Sequence, residues 1–257
     1  MKTSDFVILG KRAMENDFYV TGKEWYFEAL KSRETDADLK SDEDVEYLYK
    51  YASNMMDSSL KCYILNQNNP FHTLQPIKIE ELHLNPFVAI YHDFLTDKEI
   101  EAIKNSATSK LENPINTKLK ASHLYVRQVT MIDENLSTIK ILNQRIEAAT
   151  RLSLQRKTVK VITFGPGGYY SPSHDCLDEQ ISTQRCNQLA TFILNLNEVE
   201  VGGEKVFPKL ELSIKPKKKS GLLWYNQDFN GKINLDADHG DCPVVIGEKW
   251  ASYHSLT

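Results

Sequence analysis

Apolar positions along the chain recur first at helical spacing and later at strand spacing. Near the N-terminus, Ser4 is a candidate cap for a helix carrying Phe6, Leu9 and Ala13, which Asn16-Asp17 breaks. Thr21-Gly22-Lys23-Glu24 reads as a capping box ahead of Trp25, Tyr26, Ala29 and Leu30. Ser41-Asp42-Glu43-Asp44 is a further acidic start, leading into Val45, Leu48, Tyr49 and Ala52. The first two helices have the size of one tetratricopeptide unit, and one such unit cannot bury its own apolar face. Residues 54 to 85 are polar and poorly periodic, with Asn66, Asn68, Asn69, Pro70 and Pro76 among them, and read as a connector.

From residue 86 the pattern changes. Phe87 to Tyr91 reads as a strand, and Thr96-Asp97-Lys98-Glu99 caps a short helix holding Ile100 and Ile103. Tyr125 to Met131 is strand-like, and Ser137 to Thr150 is helical through Ile139, Leu142 and Ile146. Short apolar runs follow at 159–164, 189–196, 212–214, 222–225, 244–246 and 250–253, with Gly, Pro and Asn between them. Such a series predicts an antiparallel sandwich or barrel, with the two preceding helices on one outer face of a sheet. The chain therefore divides into a helical segment (1–55), a linker (56–85) and a main domain (86–257).

Composition narrows the function classes. The chain has 257 residues, 41% hydrophobic and 26% charged, enough for a core that needs no disulfide or metal to hold it together. With 31 Lys+Arg against 35 Asp+Glu the net charge is −4, which argues against a nucleic-acid binder. No run approaches the roughly 18 apolar residues of a membrane span. Phe6 to Leu9 is too short for a signal-peptide core, so no secretory signal is expected in this sequence. The four cysteines, Cys62, Cys176, Cys186 and Cys242, form no CxxC pair and make no zinc site by spacing, and an even count alone makes no disulfide framework.

Of the seven histidines, His174 and His239 stand out. His174-Asp175 follows Gly167-Gly168, and His239 precedes the strand Val244 to Ile246, with Lys249 ten residues further on. On residues alone, Asp175 and His239 fit a metal site or a buried ion pair equally well. Lys215 to Lys219 reads as a solvated turn. The Gly165 to Gly168 cluster lacks the Lys-Ser/Thr of a phosphate loop and reads as a turn at the edge of the site.

The layout resembles the iron(II)/2-oxoglutarate dioxygenases, most closely the collagen prolyl 4-hydroxylase alpha subunits. Tyr91 to Leu95 with Glu99-Ile100, Gly167 to Pro172, Gly202 to Pro208, Pro216 to Lys218, Trp224 to Asn226, His239 to Val244 and Gly247 to Trp250 match in order and spacing. The resemblance covers about 60 to 257. Leu9-Gly10, Asp17 to Tyr19 and Trp25 to Leu30 are similar to part of the family's peptide-substrate-binding domain, most of which this sequence lacks. The implied fold is a double-stranded β-helix, or jelly roll, mainly β with flanking helices, plus a small α-helical N-terminal segment.

The resemblance also implies the chemistry. Two histidines and one carboxylate hold iron(II) on one face, leaving positions for 2-oxoglutarate and dioxygen. Asp175 and His239 match two ligands, Lys249 the anchor of the far carboxylate of 2-oxoglutarate, and Tyr170 a cosubstrate-binding position. Ser173 stands where the first histidine belongs. His174 sits one residue on, where a strand turns its ring to the other face; only a bulge or a one-residue slip makes it a substitute. Asp238 replaces a usual arginine. The implied function is hydroxylation of peptidyl proline, with ascorbate reducing the iron after uncoupled cycles. A protein disulfide isomerase partner and the lumen of the endoplasmic reticulum come with it. Three readings stay open: an active hydroxylase, a non-catalytic relative that binds a peptide or partner, and an incomplete chain.

Overall fold

In the computed structural model the described residues are 3–16, 18–33, 45–65, 76–111, 128–133, 135–175, 188–228 and 231–257. The acidic start at 41–44, His72, His123, Cys176 and Cys186 lie outside them. The chain forms two compact units, Met1–Lys61 with His83–Asn85, and Cys62–Leu82 with Pro86–Thr257.

The first unit holds α1 (Thr3–Glu15), α2 (Tyr19–Arg33) and α3 (Val45–Ser58). Val7, Tyr26, Ala29, Val45 and Ala52 make its core. The expected capping box at Thr21 is not there. The Gly22 amide already bonds the Phe18 carbonyl at 2.8 Å, so the helix starts earlier and Thr21 lies inside it. Gly22 has a packing role instead: a Cβ added there would lie 2.6 Å from Met14 Sδ, so its bare backbone lets α1 and α2 approach.

The second unit is built on an eight-stranded antiparallel sheet, in the order β1-β2-β3-β11-β7-β14-β5-β4. Its strands are β1 (Cys62–Leu65), β2 (Ile77–Leu84), β3 (Phe87–His92), β4 (Gln128–Ile132), β5 (Val159–Phe164), β7 (Ala190–Asn195), β11 (Gly221–Tyr225) and β14 (Lys249–Leu256). A four-stranded sheet faces it, in the order β10 (Leu212–Ile214), β9 (Lys205–Phe207), β12 (His239–Asp241) and β6 (Tyr170–Ser173). A short pair joins β8 (Val201–Gly202) to β13 (Val244–Ile246). The architecture is a jelly roll with flanking helices.

Two strands fall within the expected linker. β1 pairs with β2, Leu65 opposite Ile77, and the alternation of buried Ile77 and Ile79 with Lys78 and Glu80 is the strand signal the polar flanks obscured.

Both faces of the large sheet are buried, which sets where the site can lie. Leu223, Phe192, Leu194, Ala89 and Tyr91 point to one side, against Ile100, Ile103 and Ala107 of α4 (Asp97–Thr108) and Ile139, Leu142 and Ile146 of α5 (Ser137–Thr150). Leu222, Trp224, Ile193, Val88 and Ala251 point to the other, against Phe207 and Ala237. The second layer is the interior of the jelly roll, and it carries the polar cluster.

The capping box of α4 is present. Thr96 Oγ1 accepts from the Glu99 amide at 3.3 Å, and Glu99 Oε2 accepts from the Thr96 amide at 2.8 Å. Arg145 of α5 binds the same carboxylate through two nitrogens, at 2.7 and 3.1 Å, and donates to the Phe94 carbonyl at 2.9 Å. Burial pushes the Glu99 carboxyl up, but Arg145 and the cap outweigh it and hold it below its ordinary range. Arg145→Ala should cost about 2–3 kcal/mol in urea melts at pH 7, since a charged hydrogen-bonded partner is lost. The difference should shrink as acid protonates Glu99, because a depressed carboxylate stabilises the fold only while ionised.

His254 of β14 is the opposite case. It is 3% exposed, and burial pushes its imidazole down to about 3. Below about pH 6.5 the unfolded chain takes up a proton that the folded chain refuses, so stability falls by about 1.4 kcal/mol per pH unit from this group. Urea melts between pH 7 and 4 should show a shallower slope, by one proton, for His254→Leu; an unchanged slope would remove His254 from the acid response.

Candidate functional site

Strand β12 organises the site with three buried residues, His239, Gly240 and Asp241. It lies between β9 and β6. On the β6 side His239 pairs with Ser173 and Asp241 with Tyr170, so two steps along β12 match three along β6, and β6 carries the bulge. Gly240 sits at that bulge. A Cβ there would lie 2.6 Å from the Tyr170 carbonyl oxygen and 3.0 Å from the Pro172 nitrogen. Only a glycine lets the strands close.

The bulge lies before Ser173 and leaves it directly across from His239, where paired side chains share a face. Ser173 Oγ donates to the Tyr170 hydroxyl at 2.5 Å. His174 is drawn elsewhere: its Nε2 meets the Asn234 carbonyl at 2.9 Å, and burial pushes its imidazole down. The slip that would put His174 across from His239 is absent from this ladder.

His239 is 1% exposed and is walled by Trp224, Phe207 and Tyr170, with ring centroids at 4.5, 5.6 and 6.3 Å. Its Nδ1 lies 3.0 Å from the Ala237 carbonyl, which can only accept, so Nδ1 carries a proton and Nε2 is the nitrogen turned toward Asp175. Nε2 stands 3.5 Å from Asp175 Oδ1. Thr191 Oγ1 donates to Asp175 Oδ2 at 2.5 Å, and itself accepts from Asn226 Nδ2 at 3.0 Å and Gln188 Nε2 at 2.6 Å. Burial pushes the Asp175 carboxyl up, but His239, Thr191 and Lys205 outweigh it and hold it well below the usual carboxylate range. Asp175 is thus an oriented anion facing an imidazole nitrogen.

Lys249 is 2% exposed and already engaged. Its ammonium donates to Asp241 Oδ1 at 2.5 Å and to the Gly203 carbonyl at 2.7 Å. Lys205, opposite Asp241 on β9, donates to Asp241 Oδ2 at 2.9 Å. The Lys205 ammonium also lies 5.5, 5.6 and 6.0 Å from the ring centroids of Tyr253, Trp224 and Tyr170. Burial pushes the Asp241 carboxyl up, but the two ammonium groups outweigh it and hold it at about 2.

The structure therefore brings Ser173, Tyr170, Asp175 and His239 together, sets Lys249 beside them on Asp241, and directs His174 away. Sequence reasoning missed Lys205, Asp241, Thr191 and Asn226. The available signal was a lysine and an aspartate in short glycine-bearing segments that lead into apolar runs, where burial requires a partner.

Iron(II) in this family's manner needs three protein ligands on one face. Asp175 and His239 supply two; the position opposite His239 offers a hydroxyl already bound to Tyr170. Among the described residues no group of three or more His, Cys, Asp or Glu could hold a metal. The described residues do not supply the third ligand that the family's ion takes.

Residues 159–254 match the model of the 2OG-Fe(II) oxygenase superfamily. The human prolyl 4-hydroxylase subunit alpha-3 is 31% identical over 205 residues, 76% of this chain and 38% of that protein. A Caenorhabditis elegans prolyl 4-hydroxylase subunit alpha-2 is 31% identical over 207 residues, with the same two shares, and the Bos taurus subunit alpha-1 is 28% identical over 290 residues, 96% of this chain and 54% of that protein. The chain thus spans about two-fifths to half the length of these relatives.

Among solved structures, a viral collagen prolyl hydroxylase from Paramecium bursaria Chlorella virus-1, in its 2-oxoglutarate complex, superposes with a TM-score of 0.50 at 23% identity, over 66% of this chain and 94% of that one. A Trichoplax adhaerens prolyl hydroxylase bound to a hypoxia-inducible-factor peptide fragment gives 0.50 at 15% identity, over 66% and 82%. Both support the fold. With the ordered motifs lying on the jelly-roll strands and about three-tenths of residues shared with the alpha subunits, the chain belongs to the prolyl 4-hydroxylase alpha-subunit family of the 2OG-Fe(II) oxygenase superfamily.

Proposed function

We propose that this chain is a prolyl-hydroxylase-type domain that binds proline-containing peptide and turns it over poorly or not at all. The cross-strand pairing of Ser173 with His239 carries this reading. It puts a hydroxyl at the family's first-histidine position and leaves an imidazole and a carboxylate as the ligand-type groups facing each other. A neutral hydroxyl is a weak donor to iron(II) beside imidazole and carboxylate. The relatives' names and the peptide complex of the Trichoplax enzyme support a proline-containing peptide as the bound partner. The endoplasmic reticulum lumen and a disulfide isomerase partner belong to the same family reading.

A second reading keeps full peptidyl-proline 4-hydroxylation with iron(II), 2-oxoglutarate, dioxygen and ascorbate. The 3.5 Å approach of His239 Nε2 to Asp175, with that carboxylate pre-oriented by Thr191, favours it. The two readings differ in what Ser173 does to the metal.

Anaerobic iron(II) titration separates them. The unmodified protein should bind iron weakly. Ser173→His should raise affinity at least about tenfold, which takes only about 1.4 kcal/mol. His174→Ala should change nothing, and a proline-rich peptide should bind equally well with a chelator present. Tight iron binding and succinate release by the unmodified protein, abolished by His174→Ala, would establish the second reading.

A further inference from the structure

The residue that the family uses to hold its cosubstrate is engaged here from inside the protein. Lys249 has three N–H donors; one meets Asp241 Oδ1 at 2.5 Å and another the Gly203 carbonyl at 2.7 Å. The other oxygen of Asp241 is held by Lys205 at 2.9 Å, so one carboxylate spans two ammonium groups. All three side chains are at most 5% exposed. Tyr253 closes the remaining side, its hydroxyl 3.4 Å from both Asp241 Oδ2 and Lys205 Nζ.

Both lysines are already matched, because Asp241 meets Lys249 at one oxygen and Lys205 at the other. A dicarboxylate arriving at Lys249 would have to displace this carboxylate, which is held at both oxygens. The pocket wall thus contains its own anion.

We propose that Asp241 acts as a built-in occupant of the Lys249 carboxylate position, bridged by Lys205, and that it excludes 2-oxoglutarate and other short dicarboxylates from this interior. The proposal rests on the family placement of the cosubstrate at Lys249. It is independent of Ser173, since the exclusion operates with or without a metal. Asp241 is a blocking residue in this scheme, and Lys205 is the counter-charge that lets a blocking carboxylate be buried.

The experiment measures dicarboxylate binding with a chelator present, so that iron affinity plays no part. Calorimetry with glutarate, and separately with 2-oxoglutarate, should show no binding to the unmodified full chain at millimolar ligand. The double variant Lys205→Leu/Asp241→Ala removes one charge of each sign and frees Lys249; it should bind both ligands at least tenfold more tightly. Adding Lys249→Ala to that variant should abolish the gain. Asp241→Asn, which keeps the shape and cancels the charge, is the second variant and should move in the same direction, with thermal melts reporting that each protein is folded. Binding to the unmodified protein as tight as to the double variant would overturn the proposal. So would failure of both folded variants to gain binding. Peptide binding, read on the same proteins, reports separately on the proposed function and should not change.

Discussion

The site depends on how one three-residue strand is paired. His239, Gly240 and Asp241 are all buried, and strands on both sides fix their side chains. Pairing with β6 decides that Ser173, and not His174, stands across from His239. Pairing with β9 decides that Asp241 stands across from Lys205. Gly240 is the hinge of this arrangement, because its missing Cβ lets the β6 bulge close at the one point that preserves both registers. A strand pairing with period two offers no intermediate: a one-residue shift exchanges every face.

The aromatic layer makes that pairing rigid. Trp224 packs edge-on against Phe207 at 5.5 Å and against the His239 ring at 4.5 Å, and Lys205 lies over the Trp224 face. Trp224 is fully buried in β11, the strand between β3 and β7, so the centre of the large sheet sets the position of the imidazole. Stability and site geometry therefore share the same atoms. Asp175 is placed differently, by a hydroxyl relay through Thr191 to Asn226 and Gln188.

Much of this was legible in the chain and some was not, for identifiable reasons. The strands of the large sheet from 159 onward, the capped helix at Thr96 and the positions of Asp175, His239 and Lys249 follow from short apolar runs, a local hydrogen-bonding motif and ordered family motifs. The false capping box at Thr21 shows the limit of local signals, since Phe18 offered its carbonyl one turn earlier. Strands β1 and β2 were hidden because β1, at the edge of the sheet, has no fully buried residue, and Ile77 and Ile79 of β2 are a weak alternation among polar neighbours. Lys205 and Asp241 were missed because their partnership spans 36 positions and exists only through β9–β12 pairing. A sequence shows each charge alone, where exposure is the natural reading.

The buried bridge of Lys205, Asp241 and Lys249 also restricts how this sequence can drift. Removing one partner from a buried ion pair costs about 3–5 kcal/mol, while exchanging the pair together is often neutral. A domain with a total stability of about 5–15 kcal/mol has little room for the first kind of step. Positions 205, 241 and 249 are consequently coupled: losing Asp241 strands two ammonium groups, and losing Lys205 and Asp241 together leaves Lys249 buried without its carboxylate. Substitution in this wall is therefore cheap only where the three charges change together.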